Sequence, residues 1–139
     1  LSNIFGLIKL GANVKICAPP HLIQKGIESL GVSVTYDIDE LIEWADAINV
    51  LRIQRERMGV GIIPSIREYR NFFGITNNRI KNHKKEIVIM HPGPINRGVE
   101  IDSEVADSDQ AIILDQVLNG VAVRMSVLYL LLGSSEIEK

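Results

Sequence analysis

The feature that most limits what this chain can fold into is an alternation of two periodicities between residues 1 and 51. Short apolar runs rich in β-branched residues, at 13–18, 32–36 and 47–51, are separated by stretches in which apolar residues recur three or four apart. The first kind of run suits a strand, because branched side chains pack well on a pleated surface. The second suits a helix, because residues three and four apart share one face. Leu22, Ile23, Ile27 and Leu30 predict one helix, ended at Gly31; Leu41, Ile42 and Trp44 predict another, with Asp39 as its N-cap. Ile4, Leu7, Ile8 and Leu10 give a helix ahead of the first strand, stopped by Gly11. Helix and strand in strict alternation predict parallel strands joined by crossover helices. The expected fold class is therefore α/β: a doubly wound, mostly parallel sheet flanked by helices. At 139 residues the chain has room for one core, so 1–139 is read as a single domain. Because the helical pattern begins at the first residue, with nothing ahead to cap its N–H groups, a truncated chain is expected.

The rest of the chain changes character. Residues 52–64 hold Arg52, Arg55, Glu56, Arg57 and Gly59 and close on Pro64, a loop pattern. Ser65 then caps a helix through Tyr69 and Phe73, and the polar stretch 77–85 predicts a further helix or turn. A fourth strand at 86–90 runs straight into His91-Pro92-Gly93-Pro94. From about 110 to 132 a long helix carries Ile113, Val117, Val121, Met125 and Leu128 on one stripe. In a doubly wound sheet ligands bind beyond the carboxyl ends of the strands, where the loops after Leu51 and Met90 both fall.

Several classes of function are disfavoured. A formal charge of −2 gives no dominant attraction to nucleic acid or to anionic membranes, and neither is expected as a partner. The longest unbroken apolar stretch, 127–132, is too short to span a bilayer. Cys17 is the only cysteine, so no internal disulfide can form and a reducing, cytoplasmic setting is expected. Its place in an apolar strand marks it as inert core. His21 and His83 have no partner at ligand spacing, so no metal is expected. Neither a dinucleotide fingerprint, a Walker loop nor a nucleophile elbow occurs, and no organic cofactor is expected.

The two loops carry the chemistry. Arg52 and Gln54 are two apart at a strand end and project to the same side. A guanidinium offers a planar fork to a carboxylate and an amide adds a further donor, a combination suited to a dicarboxylate. A solvated loop with Glu56 pairing an arginine across the turn fits the same residues. In His91-Pro92-Gly93-Pro94, the prolines remove two backbone donors and Gly93 lets a ligand approach the main chain, leaving fixed carbonyls able to grip an amine or amide N–H. A tight turn with His91 as a structural residue fits equally. The sharp reversal after a buried strand favours a cis peptide at Gly93-Pro94, since the cis form concentrates at X-Pro bonds.

Taken in order, RIQRER after the third strand, HPGPINRGVEID after the fourth, and QVLNGVAVRMSVLYLLL in the last helix closely resemble the C-terminal domain of the aspartate carbamoyltransferases, over essentially the whole chain. Ornithine carbamoyltransferases share the fold but typically carry a His-Cys-Leu-Pro turn at 91–94 and lack the RxQ pattern. The resemblance implies that Arg52 and Gln54 bind the aspartate carboxylates. It implies that the Pro92 and Gly93 carbonyls contact the carbamoyl nitrogen and the α-amino group. His91, Pro94, Arg57, Arg97 and Glu100 would support the loops. The implied reaction is attack of the L-aspartate amine on carbamoyl phosphate, without metal or cofactor, as a step toward pyrimidines. The implied assembly is a homotrimer of the full-length chain, with a regulatory subunit or a dihydroorotase left open as partners. No residue of this chain is assigned as catalytic. The family's phosphate-binding loop, its carbamoyl-polarising His and Arg and its mobile Ser/Lys loop belong to the N-terminal domain, and a further aspartate-binding Arg lies in an SRVA-type segment that would end just before Ser2, so the chain alone is expected to be inactive. A carbamoyltransferase-like scaffold without activity, and an ornithine carbamoyltransferase domain, stand as the alternatives.

Overall fold

The computed structural model describes residues 1–53, 65–83 and 86–133. Its elements follow the alternation of the sequence: α1 (Ser2–Lys9), β1 (Lys15–Cys17), β2 (Ser33–Thr35), α2 (Ile38–Trp44), β3 (Ala47–Asn49), α3 (Ile66–Phe73), α4 (Asn77–Asn82), β4 (Val88–Met90), α5 (Ser103–Ala106) and α6 (Ile113–Leu132). The strands pair in parallel, β1 with β2 and β3 with β4, giving an α/β fold. Beyond β4, Ile89 donates to the Gln110 carbonyl (2.8 Å) and accepts from the Ile112 N–H (2.9 Å), so residues 110–112 line its other side in parallel. The long helix therefore starts at Ile113 rather than 110, because the backbone just before it is committed to this pairing.

Between β1 and β2 the structure differs from the expected helix. Two 3-10 turns, Pro20–Leu22 and Ile27–Leu30, replace it. Gly26, at φ 75°, sits in the left-handed region between them and interrupts any continuous helix. The cap of α2 is Asp37 and not Asp39: the Asp37 carboxylate accepts from the N–H groups of Asp39 (2.9 Å) and Glu40 (3.2 Å). Asp37 has the extended backbone that a cap needs, while Asp39 lies inside the first turn and pairs with Arg79 (2.7 Å). Ser65 caps α3 as expected, accepting from the Glu68 N–H (3.4 Å).

The core is built from the strands' inward positions and the helices over them: Ile48, Val50, Ile87 and Ile89 meet Ile38, Leu41, Ile42, Ile75, Ile101, Val105 and Ile113. Ile89, at 0% exposure, lies at the centre. Complete removal of such a side chain from water contributes on the order of 1.5–3 kcal/mol. Asp102 ties the far side together. Its Oδ1 accepts from Arg70 of α3 (2.7 Å) and its Oδ2 from the Asn77 N–H that begins α4 (3.1 Å). Arg79 adds a second tie by donating to the Asn71 and Gly74 carbonyls at the end of α3 (both 2.9 Å).

Helix α6 departs furthest from an ordinary core helix. Ile113 is its one buried residue among those described, and 6% of its most apolar window is covered. The expected stripe at 117, 121, 125 and 128 lies partly or well exposed. Leu114, Leu118, Val121, Met125, Leu128 and Leu132 form an uncovered seam at alternating four- and three-residue spacing. Taken whole, α6 is long and apolar enough to cross a membrane by length and composition.

Candidate functional site

The site forms where β3 and β4 end. Parallel pairing continues one residue past the β3 ladder, with Val50 N–H donating to the Met90 carbonyl at 2.8 Å. Residues 51–53 and 91–93 consequently leave the sheet side by side, at the carboxyl edge where an α/β sheet binds its ligands. Arg52 is half-buried there and Ile53 is buried, anchoring the loop just as it departs. Gln54 and Arg57 lie outside the described residues.

The turn at 91–94 is held from below. His91 is fully buried, and its Nδ1 accepts from the Gly93 N–H at 2.9 Å. Gly93 has φ +66°, a conformation that strains a residue with a Cβ, and the Gly93-Pro94 peptide is cis, as the reversal led one to expect. Pro92 and Pro94 are exposed and Gly93 is half-buried. Among the described residues, neither the Pro92 nor the Gly93 carbonyl accepts a hydrogen bond from within the chain. Both acceptors are thus available to a ligand's N–H groups.

Beneath His91 lies Glu100, also fully buried. Glu100 Oε1 accepts from the Asn96 N–H at 2.6 Å and stands 3.5 Å from His91 Nε2. Because Nδ1 is occupied as an acceptor, the neutral ring must carry its proton on Nε2, toward the carboxylate. Burial lowers the His91 pKa below its ordinary 6.5, with Glu100 opposing that shift, so the ring is neutral at neutral pH. His91 is a buried strut and not a base that a ligand could reach. Among the described residues, His91 Nε2 and Glu100 Oε2 otherwise lack partners, as does Gln116 Oε1 on the first turns of α6.

Arg97, expected to support the loops, makes a two-pronged ion pair with Asp107 (2.7 Å and 2.7 Å), beyond the turn. The pair raises the arginine's pKa and lowers that of Asp107. Both ends are exposed, so it ties the stretch after the turn to the end of α5 without contributing much stability. Sequence reasoning did not single out Asn96. Its side-chain Nδ2 donates to the Ile53 carbonyl (3.1 Å) and links the two loops. No periodicity marks it, and its partner Ile53 lies 43 residues earlier in the chain.

Other features stand apart from this edge. A cavity of about 610 Å³ opens between α2 and α4, lined by Asp37, Asp39, Glu40, Glu43, Thr76 and Arg79 among others. It is a broad charged cleft in which Arg79 and Asp39 already satisfy each other. Cys17 is half-buried, and burial first, then Asp37 and Glu40, push its thiol up to about 11. It stays protonated and unreactive at neutral pH. The His83 side chain is buried, 3.6 Å from Glu43. Among the described residues no cluster of ligating side chains could hold a metal ion.

A profile of the family described as aspartate/ornithine carbamoyltransferase, Asp/Orn binding domain, matches residues 1–131. The chain is 57% identical over 132 residues to an aspartate carbamoyltransferase catalytic subunit of Gemmatimonas aurantiaca, covering 95% of this chain and 41% of that protein. With its counterpart in Christiangramia forsetii the identity is 60% over 131 residues, covering 94% and 42%. The chain therefore spans well under half the length of these curated relatives. In structure it is similar to an ornithine carbamoyltransferase from Pyrococcus furiosus, with a TM-score of 0.71 at 22% identity, covering 92% of this chain and 44% of that one. It is likewise similar to an aspartate transcarbamoylase from Trypanosoma cruzi, with a TM-score of 0.69 at 24% identity, covering 91% and 45%. At such identities the structural likeness shows the fold.

Proposed function

Because the chain belongs to the aspartate/ornithine carbamoyltransferase family, we propose that it is the acceptor-binding part of an aspartate carbamoyltransferase. It would present L-aspartate to carbamoyl phosphate held by the other half of the full-length protein. The observation that carries this reading is the meeting of two loops at one sheet edge: Arg52 on one, and on the other the Pro92 and Gly93 carbonyls, which accept no hydrogen bond among the described residues. A carboxylate suits the guanidinium, and an amine suits a pair of fixed carbonyls. An amino acid with an acidic side chain brings both groups together. Ornithine would bring a second ammonium toward Arg52, a like-charge contact that disfavours it.

In the reaction, the aspartate amine adds to the carbamoyl carbon, forming the C–N bond. The bond from that carbon to the phosphate oxygen breaks, phosphate departs, and the amine loses a proton. In this reading the chain binds and orients: Arg52 fixes a carboxylate, joined by Gln54 on the strength of the family resemblance alone, and the turn carbonyls aim the nitrogen lone pair by holding its N–H groups. Orientation of this kind can account for several powers of ten in rate.

Helix α6 fits the same reading. Its exposed seam has the spacing of a helix that packs on another helix. Arg124 lies near its middle, where a bilayer would exact about 2.5–3.5 kcal/mol for the charge. A protein surface, the carbamoyl phosphate-binding half, is the better cover. The family resemblance also supports a homotrimer of the full-length chain in the cytoplasm, and the inert thiol of Cys17 is in keeping with that setting.

The test is steady-state kinetics of the chain joined to a carbamoyl phosphate-binding half. Arg52→Ala is expected to raise KM for aspartate and to lower kcat, together by on the order of 100-fold, because a misplaced carboxylate misdirects the amine. Arg52→Lys should not restore activity, since an ammonium cannot reproduce a two-pronged fork. A lysine variant with parental constants would remove Arg52 from the site.

A further inference from the structure

Two loops must keep a fixed spacing if one grips the carboxylate and the other the amine of a single small molecule. The described residues contain one side chain that spans them. Asn96 uses both of its donors: its N–H goes to the buried Glu100 Oε1 (2.6 Å) beneath the turn, and its Nδ2 goes to the Ile53 carbonyl (3.1 Å), one residue after Arg52. Glu100 also stands beside His91 Nε2 (3.5 Å), and His91 Nδ1 receives the Gly93 N–H (2.9 Å). A continuous chain of polar contacts therefore runs from Gly93 through His91, Glu100 and Asn96 to the backbone next to Arg52. Two of its members are fully buried, where water does not compete and such bonds hold their geometry.

We propose that Asn96 is a positioning residue that sets the distance between Arg52 and the Pro92 and Gly93 carbonyls, with Glu100 and His91 as its buried anchor. The proposal rests on the acceptor-binding reading. Asn96 touches no substrate in this account; it acts through Ile53 on one side and through Glu100 on the other. An asparagine is required and not merely a small polar residue. The Ile53 carbonyl needs a donor, and an aspartate of the same shape would set one acceptor against another. Loss of the tie lets residues 52–53 drift relative to the turn, so aspartate still binds by parts but not in the attacking pose.

The test uses the chain joined to a carbamoyl phosphate-binding half, comparing the parent with Asn96→Asp and Asn96→Ala. The expected result is a fall in kcat and a rise in KM for aspartate, together about 10- to 100-fold, with KM for carbamoyl phosphate within about twofold of the parent. Both variants should be impaired, the aspartate at least as much as the alanine. A purely structural role would lower melting temperature without separating the two KM values. A parent that fails to carbamoylate aspartate defeats the acceptor-binding reading itself. An active parent whose folded Asn96→Asp variant keeps the parental aspartate constants overturns the positioning role alone. Should neither variant fold, NMR of the parent 139-residue chain decides. Through-hydrogen-bond coupling from the Asn96 side-chain amide to the Ile53 carbonyl, with His91 protonated on Nε2, supports the proposal; absence of that coupling overturns it.

Discussion

His91 shows how one side chain can determine the shape of a binding turn without meeting a ligand. Its Nδ1 can accept the Gly93 N–H only while the ring is neutral, and burial keeps it neutral by lowering its pKa. The consequence for stability follows from proton linkage. The unfolded chain binds a proton at His91 near the ordinary value of 6.5, while the folded chain resists protonation until the pH is lower. Between those values the unfolded state holds more protons, so folding stability is full above about 6.5 and is lost as pH falls toward the lowered folded value. Denaturant titrations of the chain at a series of pH values from about 8 to about 5 should show that decline, and His91→Asn should flatten it relative to the parent. A decline unchanged by the substitution would place its origin elsewhere. At this scale the sequence was legible where chemistry is local: the prolines and glycine of the turn pointed to the cis bond and to free carbonyls. It was silent on Asn96 and Asp102, whose partners lie far along the chain, at Ile53 and at Arg70.

Elements were readable where a periodicity ran unbroken. The four strands fall where the apolar runs predicted them, each trimmed to the three residues that pair. The stretch from 22 to 30 misled because its apolar spacing is helical while Gly26 adopts a left-handed conformation that no spacing reveals. The start of α2 was misplaced by two residues because Asp37 and Asp39 are both good caps. Only the backbone decides between them, and Asp37 has the extended one. The two should therefore respond differently to substitution. Asp37→Ala removes the acceptor for two helix N–H groups and should cost about 1 kcal/mol, read as a lowered urea midpoint. Asp39→Ala removes an ion pair whose carboxylate end is open to solvent, while Arg79 keeps its bonds to the Asn71 and Gly74 carbonyls, and should cost less than that. Equal losses would contradict the assignment of the cap.

For the molecule as a whole, the site and α6 point the same way. In the proposed reading the edge holds an amino acid by its carboxylates and its amine, and among the described residues it offers no exposed acid or base and no cradle for a phosphate. The apolar seam of α6 is a surface built to be covered. The curated relatives are more than twice this length, and in the proposed reading the additional chain binds carbamoyl phosphate and covers the helix. The choice of acceptor is the point on which the account stands, because the fold is shared with ornithine carbamoyltransferases and does not decide between the two. The direct measurement is the ratio of kcat/KM for L-aspartate to that for L-ornithine, taken on one preparation of the chain joined to a carbamoyl phosphate-binding half, with the 139-residue chain alone as control. The account predicts N-carbamoyl-L-aspartate from the joined protein, a ratio above about 1,000 as expected when a site's charged group must be matched by its ligand, and no product from the chain alone. Turnover of ornithine at a comparable rate, or robust turnover of aspartate by the chain alone, would contradict it.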